Sequence, residues 1–230
     1  MVLRLRSFKA IDDPESCAKF VKGHGDILTS IGVNKVTSNV PTWIDNPGTY
    51  VLVVEDPETK AILGGARVDT SFGSSKLPIS GATAYLDPKV DEVIAKESVN
   101  GTGEICGLWN SRKVAGLGFG SLFITRAAIT ISHKVGVSSL FALCAPYTVA
   151  TAETFGYTTL KEVGNEGTFY YPKLDLLATA MLLPDTLKIE SATELEKERV
   201  FSLRNDPSQF FEEESRRRQV PIQYDLGIKL

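Results

Sequence analysis

Apolar and polar residues follow one another along the chain in patterns that predict strands and helices. Residues 3–6 alternate between leucine and arginine, and a period of two is typical of a strand with one buried face. Residues 50–54 and 61–68 are nearly continuous apolar runs, joined by a turn that contains Asp56 and Pro57. Such runs are covered on both faces, so we expect a hairpin within a sheet that has helices on either side.

A long helix is predicted over residues 119–135, and it is apolar almost all the way round. A helix of this kind packs deeply against its neighbours. Further strands are predicted at residues 104–109, 138–144, 157–162 and 175–183. Together these elements predict an α/β (α+β) fold, in which helices flank a central mixed sheet.

Two segments of the first half depart from this succession. A helix is predicted to begin at Pro14, after the acidic cap Asp13, and Gly23 and Gly25 are expected to interrupt it. Residues 70–101 have no strand pattern and form an insertion, with a helix-like stretch near its end. Insertions of this length are more often functional or mobile in compact domains.

The pattern changes after Pro184. A helix is predicted to run to about Arg204. Residues 212–218 place three glutamates four positions before three arginines, the favourable order for ion pairs along a helix. We interpret this run as the solvated face of a helix, and a docking surface is the alternative. Residues 219–230 are expected to be extended.

The length of 230 residues suits one domain with an appendage, residues 1–184 and 185–230. A net charge of −3, from 28 acidic and 25 basic residues, argues against a nucleic-acid partner. Three widely spaced cysteines and two histidines offer no metal-ligand spacing. No apolar run is long enough to span a membrane, and the odd number of cysteines favours a reducing compartment, so we expect a cytoplasmic protein.

The most informative stretch lies between the strand at residues 104–109 and the long helix. Gly116, Gly118 and Gly120 alternate there with larger residues, just before the helix begins. Glycines leave backbone N–H groups uncovered, and the helix dipole is positive at this end. We therefore predict a phosphate or pyrophosphate site, with a flexible turn as the alternative.

Two nucleotide-binding loops explain these glycines less well. A dinucleotide loop needs a third glycine where this chain has Ser121 or Phe123, and an acid at the end of the strand at residues 138–144. A nucleoside triphosphate loop needs a lysine after the last glycine, where Ser121 stands. Neither ligand fits this sequence well.

The glycines, the helix after them and the sequence Phe155-Gly156-Tyr157 together resemble the core of the GNAT acyltransferase superfamily. The resemblance implies a mostly antiparallel mixed sheet, followed here by a helical C-terminal extension. It also implies an enzyme that uses acetyl-CoA or another acyl-CoA as co-substrate, without a metal.

In that superfamily the glycine loop wraps the pyrophosphate of coenzyme A, and backbone groups of the fourth strand pair with the pantetheine arm. The residues that the resemblance assigns to coenzyme A are Leu108, Trp109, Asn110, Ala115, Gly116, Leu117, Gly118, Phe119, Gly120 and Ser121. Ala115 stands where an arginine or glutamine is usual, and Arg112 and Lys113 are the candidates to supply that charge.

A narrower resemblance concerns the third and fourth strands. Residues 65–67 and 104–108 resemble the branch that holds autoinducer (acyl-homoserine-lactone) synthases and N-acyl amino acid synthases. That branch has an arginine where this chain has Gly107. The branch implies an acyl carrier protein as an alternative donor of the acyl group.

Acyl transfer to an amine benefits from a base, because an amine with a pKa of about 10 is protonated at neutral pH. Glu104 is the candidate, since superfamily members often carry their base at the start of the fourth strand. The alternative is a structural ion pair between Glu104 and Arg67. The usual acid is a tyrosine where this chain has Ala152, so we name Tyr147 as the substitute and interpret Tyr157 as core.

We therefore expect an N-acyltransferase that moves an acetyl or longer acyl group from acyl-CoA to a primary amine of a small molecule. One alternative is a synthase of N-acyl amino acids or autoinducer-like molecules that depends on an acyl carrier protein. Another is a non-catalytic module that binds coenzyme A as a sensor or interaction domain. A second copy of the chain, in a homodimer, is a further expected partner. A nucleic-acid partner is not expected. The apolar insertion suits a chain longer than acetyl, or else covers the sheet or a dimer contact.

Overall fold

Within the described residues, ten strands form one central sheet. The computed structural model describes residues 2–33, 40–73, 75–215 and 218–228. In chain order the strands are β1 (Leu3–Lys9), β2 (Thr49–Glu55), β3 (Ile62–Thr70), β4 (Thr102–Asn110), β5 (Ser139–Cys144), β6 (Thr158–Thr159), β7 (Thr168–Tyr170), β8 (Leu177–Leu183), β9 (Phe210–Glu214) and β10 (Gln219–Asp225).

The sheet is mixed and mostly antiparallel. Its strand order is β6-β8-β5-β4-β3-β2-β1-β10-β9, and β7 also pairs with β8. The parallel neighbours are β4 with β5 and β1 with β10, and the remaining neighbours are antiparallel. The predicted fold class is therefore confirmed.

Helices cover both faces of the sheet. They are α1 (Pro14–Ser30), α2 (Pro78–Thr83), α3 (Lys89–Ser98), α4 (Ile124–Lys134), α5 (Pro146–Thr154) and α6 (Glu194–Asn205). Val51 and Val53 of β2 belong to the core under α1, whereas Leu52 and Val54 belong to the core under α4. This alternation puts apolar residues on both faces, as the continuous apolar run of the hairpin predicts.

The insertion at residues 70–101 folds back over the sheet as α2 and α3. Ile79 and Val90 from these helices pack with Phe141 of β5 and Leu182 of β8. The predicted helical stretch is confirmed. The insertion also brings the start of α2 beside β4, where it contacts a residue of the candidate site.

The helix α1 runs without a break through Gly23 and Gly25, so the predicted interruption is wrong. A Cβ atom on Gly23 would lie 2.1 Å from the ring of Trp109. Gly23 therefore allows α1 and β4 to pack closely against each other, and it does not bend the helix.

The predicted helix over residues 212–218 is wrong, because its glutamates lie in β9, which forms an antiparallel hairpin with β10. Among the three glutamates only Glu213 is buried, as the period-two alternation of a strand requires. Arg216 and Arg217 lie outside the described residues. Glu213 forms ion pairs with Arg126 and Arg199 in place of the local pair expected along a helix.

Buried ion pairs connect the β9–β10 hairpin to α4 and α6. Arg126 of α4 contacts Glu213 at 2.6 Å and Glu196 of α6 at 2.7 Å. Glu213 also accepts hydrogen bonds from Arg199 at 2.8 Å and from the Tyr224 hydroxyl at 2.6 Å. Burial alone raises the pKa of Glu213, but the charge of Arg126 and these hydrogen bonds outweigh it and leave the pKa lowered. The network keeps each buried charge paired.

Residues 185–230, expected as a helical extension, contain one helix and two strands among their described residues. β10 pairs in parallel with β1, so this segment extends the central sheet. None of the described helices is long and apolar enough to cross a membrane.

Candidate active site

The strands β4 and β5 lie side by side over only part of their length. Their parallel register ends at Ile105 opposite Ala142, whereas β4 continues to Asn110 and β5 to Cys144. The last residues of both strands line one cavity. A cleft therefore opens at the point where the two strands part.

A bulge in β4 lies at the same point. Gly65 of β3 is opposite Trp109 and Arg67 is opposite Cys106, so two residues of β4 face one residue of β3. One of those two is Gly107, whose φ of +60° is a conformation that glycine adopts without steric cost. Bulges are common beside active sites, because they redirect the groups around them.

A cavity of about 750 Å³ fills the cleft. Its walls come from β4, β5, β8, α1, α2, α5 and the start of the helical segment after the glycine loop. Glu104, Gly120 and Ser121 line this cavity, and Leu28 and Leu177 contribute apolar surface to it. Cavities of this size and mixed lining are typical of sites for small molecules and cofactors.

Glu104 is placed just before the strands part. It is 2 % exposed and accepts a hydrogen bond from the backbone N–H of Ile79 at 2.7 Å. Burial raises the pKa of this carboxyl from 4.5 to about 8; Asp69 adds to the rise, and the Ile79 N–H and Arg67 oppose it. Glu104 is therefore mostly protonated at neutral pH and becomes a base just above it.

Asp69 of β3 is opposite Glu104, and Arg67 of the same strand forms its ion pair with Asp69, at 2.9 Å. Its guanidinium carbon is 4.6 Å from the centre of the Trp43 ring. A Cβ atom on Gly107 would lie 3.5 Å from Nη1 of Arg67. The guanidinium from β3 thus stands beside Gly107 of β4.

The glycine loop enters α4 through a π-helical turn, Phe119–Phe123. Gly116 and Gly118 have φ values of +75° and +90°. The backbone N–H groups of Leu122 and Phe123 donate to the Gly118 carbonyl at 2.9 and 3.1 Å. The backbone N–H groups of Phe119, Gly120 and Ser121 stand at the start of this helical segment. The first N–H groups of a helix have no partner within the helix. This arrangement is a suitable anion site.

Close packing also requires two of the glycines. A Cβ atom on Gly118 would lie 2.7 Å from the Phe123 ring, and one on Gly120 would lie 2.1 Å from Oδ1 of Asn110. The alternation of glycines therefore meets a structural need as well as the predicted need of a phosphate.

The structure places the residues assigned to coenzyme A in different surroundings. Those that line the cavity are Leu108, Trp109, Asn110, Gly120 and Ser121. Leu117 and Phe119 are buried in the main core, so only their backbone is available to a ligand. Ala115 and Gly116 are exposed, and Gly118 is half-buried.

Two tyrosines on the cavity wall differ in their surroundings. Tyr147, the predicted acid, stands at the start of α5 and is 85 % exposed. Tyr157 is 3 % exposed, and its hydroxyl has no hydrogen-bond partner within the described residues. Burial raises the pKa of Tyr157 well above 10, and the charges of Cys144 and Glu104 raise it further. Sequence reasoning missed this residue, because an aromatic residue after Phe-Gly carries no sign of a polar role.

Cys144 also lines the cavity, and burial raises the pKa of its thiol to about 11. A thiol with such a pKa is a poor nucleophile at neutral pH. In the part of the chain that the structure describes, histidine, cysteine and carboxylate side chains form no group of three that could hold a metal ion.

The fold is that of the GNAT-type acyltransferases. The N-acyl amino acid synthase FeeM from uncultured soil microbes superposes with a TM-score of 0.60 and 14 % identity, over 84 % of this chain and 96 % of that one. An acyl-CoA N-acyltransferase from Pseudomonas aeruginosa has a TM-score of 0.54 and 13 % identity, over 78 % and 98 % of the two chains.

A CoA-dependent acyl-homoserine lactone synthase, BjaI, whose structure contains SAM and isopentyl-CoA, has a TM-score of 0.52 and 12 % identity, over 90 % and 91 %. No family profile matches the sequence, and no curated protein matches it in sequence. The resemblance predicted from the glycine loop and the fourth strand is confirmed at the level of the fold.

Proposed function

We propose that this protein is an N-acyltransferase that moves an acyl group from acyl-CoA to a primary amine of a small molecule. The observation that carries the proposal is the position of Glu104. This buried carboxyl, with a pKa of about 8, lies on the wall of a cavity that reaches the start of the helical segment after the glycine loop. A base and an anion-binding helix end at one cavity suit acyl transfer from a carrier that bears phosphates.

The residues around the cavity fit acyl-CoA. The N–H groups at the start of the π-helical turn suit the phosphates, and Arg112 and Lys113 are exposed in the same loop. The backbone of β4 beyond Ile105 has parted from β5 and suits an extended arm that bonds like an added strand.

In the proposed reaction, Glu104 accepts a proton from the ammonium group of the acceptor. The free amine then attacks the carbonyl carbon of the thioester, a C–N bond forms, and the C–S bond breaks with its electron pair on sulfur. The nitrogen loses its second proton as the amide forms, and the thiolate takes up that proton. Glu104 then returns its own proton to solvent. Because a thioester is already activated, no covalent intermediate on the protein is required, which agrees with the raised pKa of Cys144.

We further propose an acyl chain longer than acetyl. Ile27 and Leu28 of α1 line the cavity together with Leu176 and Leu177, and each of these side chains is apolar. The similarity to BjaI, whose structure contains isopentyl-CoA, supports the same choice. An acyl carrier protein is the alternative donor.

The test measures thiol release from acetyl-CoA and octanoyl-CoA with a panel of primary amines. We expect the wild-type rate to rise with pH through about 8, because Glu104 must lose its proton. Glu104→Gln should be roughly 10²–10⁴-fold slower at pH 8.5.

Binding is measured separately by thermal shift, since a ligand at 100 times its Kd stabilises a protein by about 2.7 kcal/mol. Binding of CoA without turnover would favour the non-catalytic module, which Ala115, Gly107 and Ala152 also favour as departures from the superfamily. A protein that neither binds CoA nor turns over acyl-CoA would overturn both functions.

A further inference from the structure

The turn that ends α5 holds Tyr157 beside Ala152. The N–H of Gly156 donates to the Glu153 carbonyl at 2.9 Å, and the N–H of Tyr157 donates to the Ala152 carbonyl at 3.3 Å. Gly156 has a φ of +89°. This is the Schellman pattern, in which the residue after the glycine packs against the residue five positions before it. The small side chain of Ala152 leaves room for the tyrosine ring.

Ala152 and Tyr157 both line the cavity, on the wall that the end of α5 supplies. Ala152 is the position at which the superfamily usually carries its tyrosine acid. The Schellman turn therefore places Tyr157, five residues further along the chain, on the same wall as Ala152.

The hydroxyl of Tyr157 is a buried polar group without a hydrogen-bond partner within the described residues. Such a group costs free energy, and folded proteins normally avoid it. Glu104 and Cys144 also line the cavity, and their charges raise the pKa of this hydroxyl. An unpartnered donor in this position is explained if the substrate supplies the acceptor.

We propose that the Tyr157 hydroxyl donates a hydrogen bond to the carbonyl oxygen of the reacting thioester. The role rests on the N-acyltransferase function proposed above. As the amine nitrogen bonds to the carbonyl carbon, negative charge develops on the oxygen, and a donor fixed in a buried site stabilises it. The carbonyl then re-forms while the C–S bond breaks with its electron pair on sulfur. The first proton of the ammonium group is on Glu104, the second passes from the nitrogen to the thiolate, and Tyr157 keeps its own proton throughout.

The surroundings favour Tyr157 over Tyr147 for this role. Tyr147 is 85 % exposed, so water competes for its hydroxyl. A hydrogen bond is electrostatically stronger in the low dielectric of a buried site. Burial also keeps Tyr157 protonated at every pH at which the reaction would be measured, because its pKa is raised.

The experiment compares Tyr157→Phe with wild type and with Tyr224→Phe. Tyr157→Phe keeps the ring and removes only the unpartnered hydroxyl, so its Tm should be equal to or above the wild-type value. We expect kcat with octanoyl-CoA to fall roughly 10²–10³-fold, while the Kd for CoA changes less than about twofold. Tyr224→Phe removes a hydroxyl that is bonded to Glu213 outside the cavity, so its Tm should fall and its kcat should stay within about twofold.

A wild-type kcat in Tyr157→Phe overturns the role of Tyr157 and leaves the N-acyltransferase function standing. A loss of kcat that follows Tm in both variants overturns it as well, since the hydroxyl would then be structural. A wild-type protein that turns over no acyl-CoA overturns the N-acyltransferase function, and the role of Tyr157 with it.

Discussion

Arg67 and Gly107 face each other across the bulge between β3 and β4, with 3.5 Å between Nη1 of Arg67 and the place of a Cβ on Gly107. Arg67 is 1 % exposed, and its charge is balanced by Asp69. A larger side chain at 107 would meet this guanidinium, and an arginine there would bring a second buried cation beside it. Gly107 therefore leaves this space to the guanidinium of Arg67 from the neighbouring strand.

Arg67→Met should destabilise the protein by about 3–5 kcal/mol, because it leaves Asp69 buried without its cation. The measurement is the free energy of unfolding in urea. Lys22→Met is the control, since Lys22 pairs with Asp26 at an exposed position, and it should cost at most about 1 kcal/mol. Equal losses in the two variants would contradict the importance of the buried pair.

Glu104→Gln should stabilise the protein at high pH. The pKa of Glu104 is about 8 in the folded protein and about 4.5 when unfolded, so between these values the folded state binds more protons. Wild-type stability therefore falls as pH rises from 4.5 to 8, whereas the glutamine does not titrate. The variant's Tm should exceed the wild-type Tm at pH 8.5, and the excess should shrink towards pH 5.

Glu213→Gln is the matched control for this pH dependence. Its pKa is lowered by Arg126 and Arg199 despite burial, so its contribution to stability is present above the unfolded pKa and is lost on acidification. We expect this variant to be less stable than wild type at pH 7, by an amount that shrinks at low pH. If both variants shifted Tm in the same direction at pH 8.5, the opposite environments inferred for the two carboxyls would be wrong.

The glycine loop is best tested at Ser121. Gly118→Val would strain the fold, since Gly118 has a positive φ and its Cβ would meet the Phe123 ring. Ser121→Asp adds a negative charge on the cavity wall where the phosphates are proposed to bind, so the Kd for CoA should rise at least about tenfold. Ser191→Asp adds the same charge at an exposed position before α6 and should leave the Kd unchanged. Calorimetric titration with CoA gives both values.

Leu28→Trp should shorten the space available to the acyl chain, because Leu28 lines the cavity. In wild type, each buried CH₂ adds at most about 0.8 kcal/mol, which is about a fourfold change in affinity. The variant should bind octanoyl-CoA no better than acetyl-CoA. Leu195→Trp, at an exposed position on α6, controls for the added ring. An affinity that is flat or falls beyond acetyl in wild type would favour simple acetyl transfer.

Local patterns along the chain predicted the elements whose residues determine their own conformation. The β2–β3 hairpin, the glycines before α4 and the helix of the insertion are of this kind. β9 could not be predicted in this way, because Glu213 is fixed by Arg126, 87 residues away. The same holds for Gly23, because the residue that requires a glycine there is Trp109, which is distant in the sequence. Within the described residues the Tyr157 hydroxyl has no hydrogen-bond partner, and this depends on which residues the fold places around it. The spacing of residues along the chain does not contain that information.

The buried network around Arg126 also has a consequence for synthesis of the chain. The two carboxylates that neutralise Arg126 follow it by 70 and 87 residues. While the protein is being translated, α4 leaves the ribosome well before Glu196 and Glu213 exist. Until then, burying α4 would strand a cation in the core. The glycine loop therefore gains its final support only as the last strands emerge, and a chain that stops before β9 should hold α4 loosely.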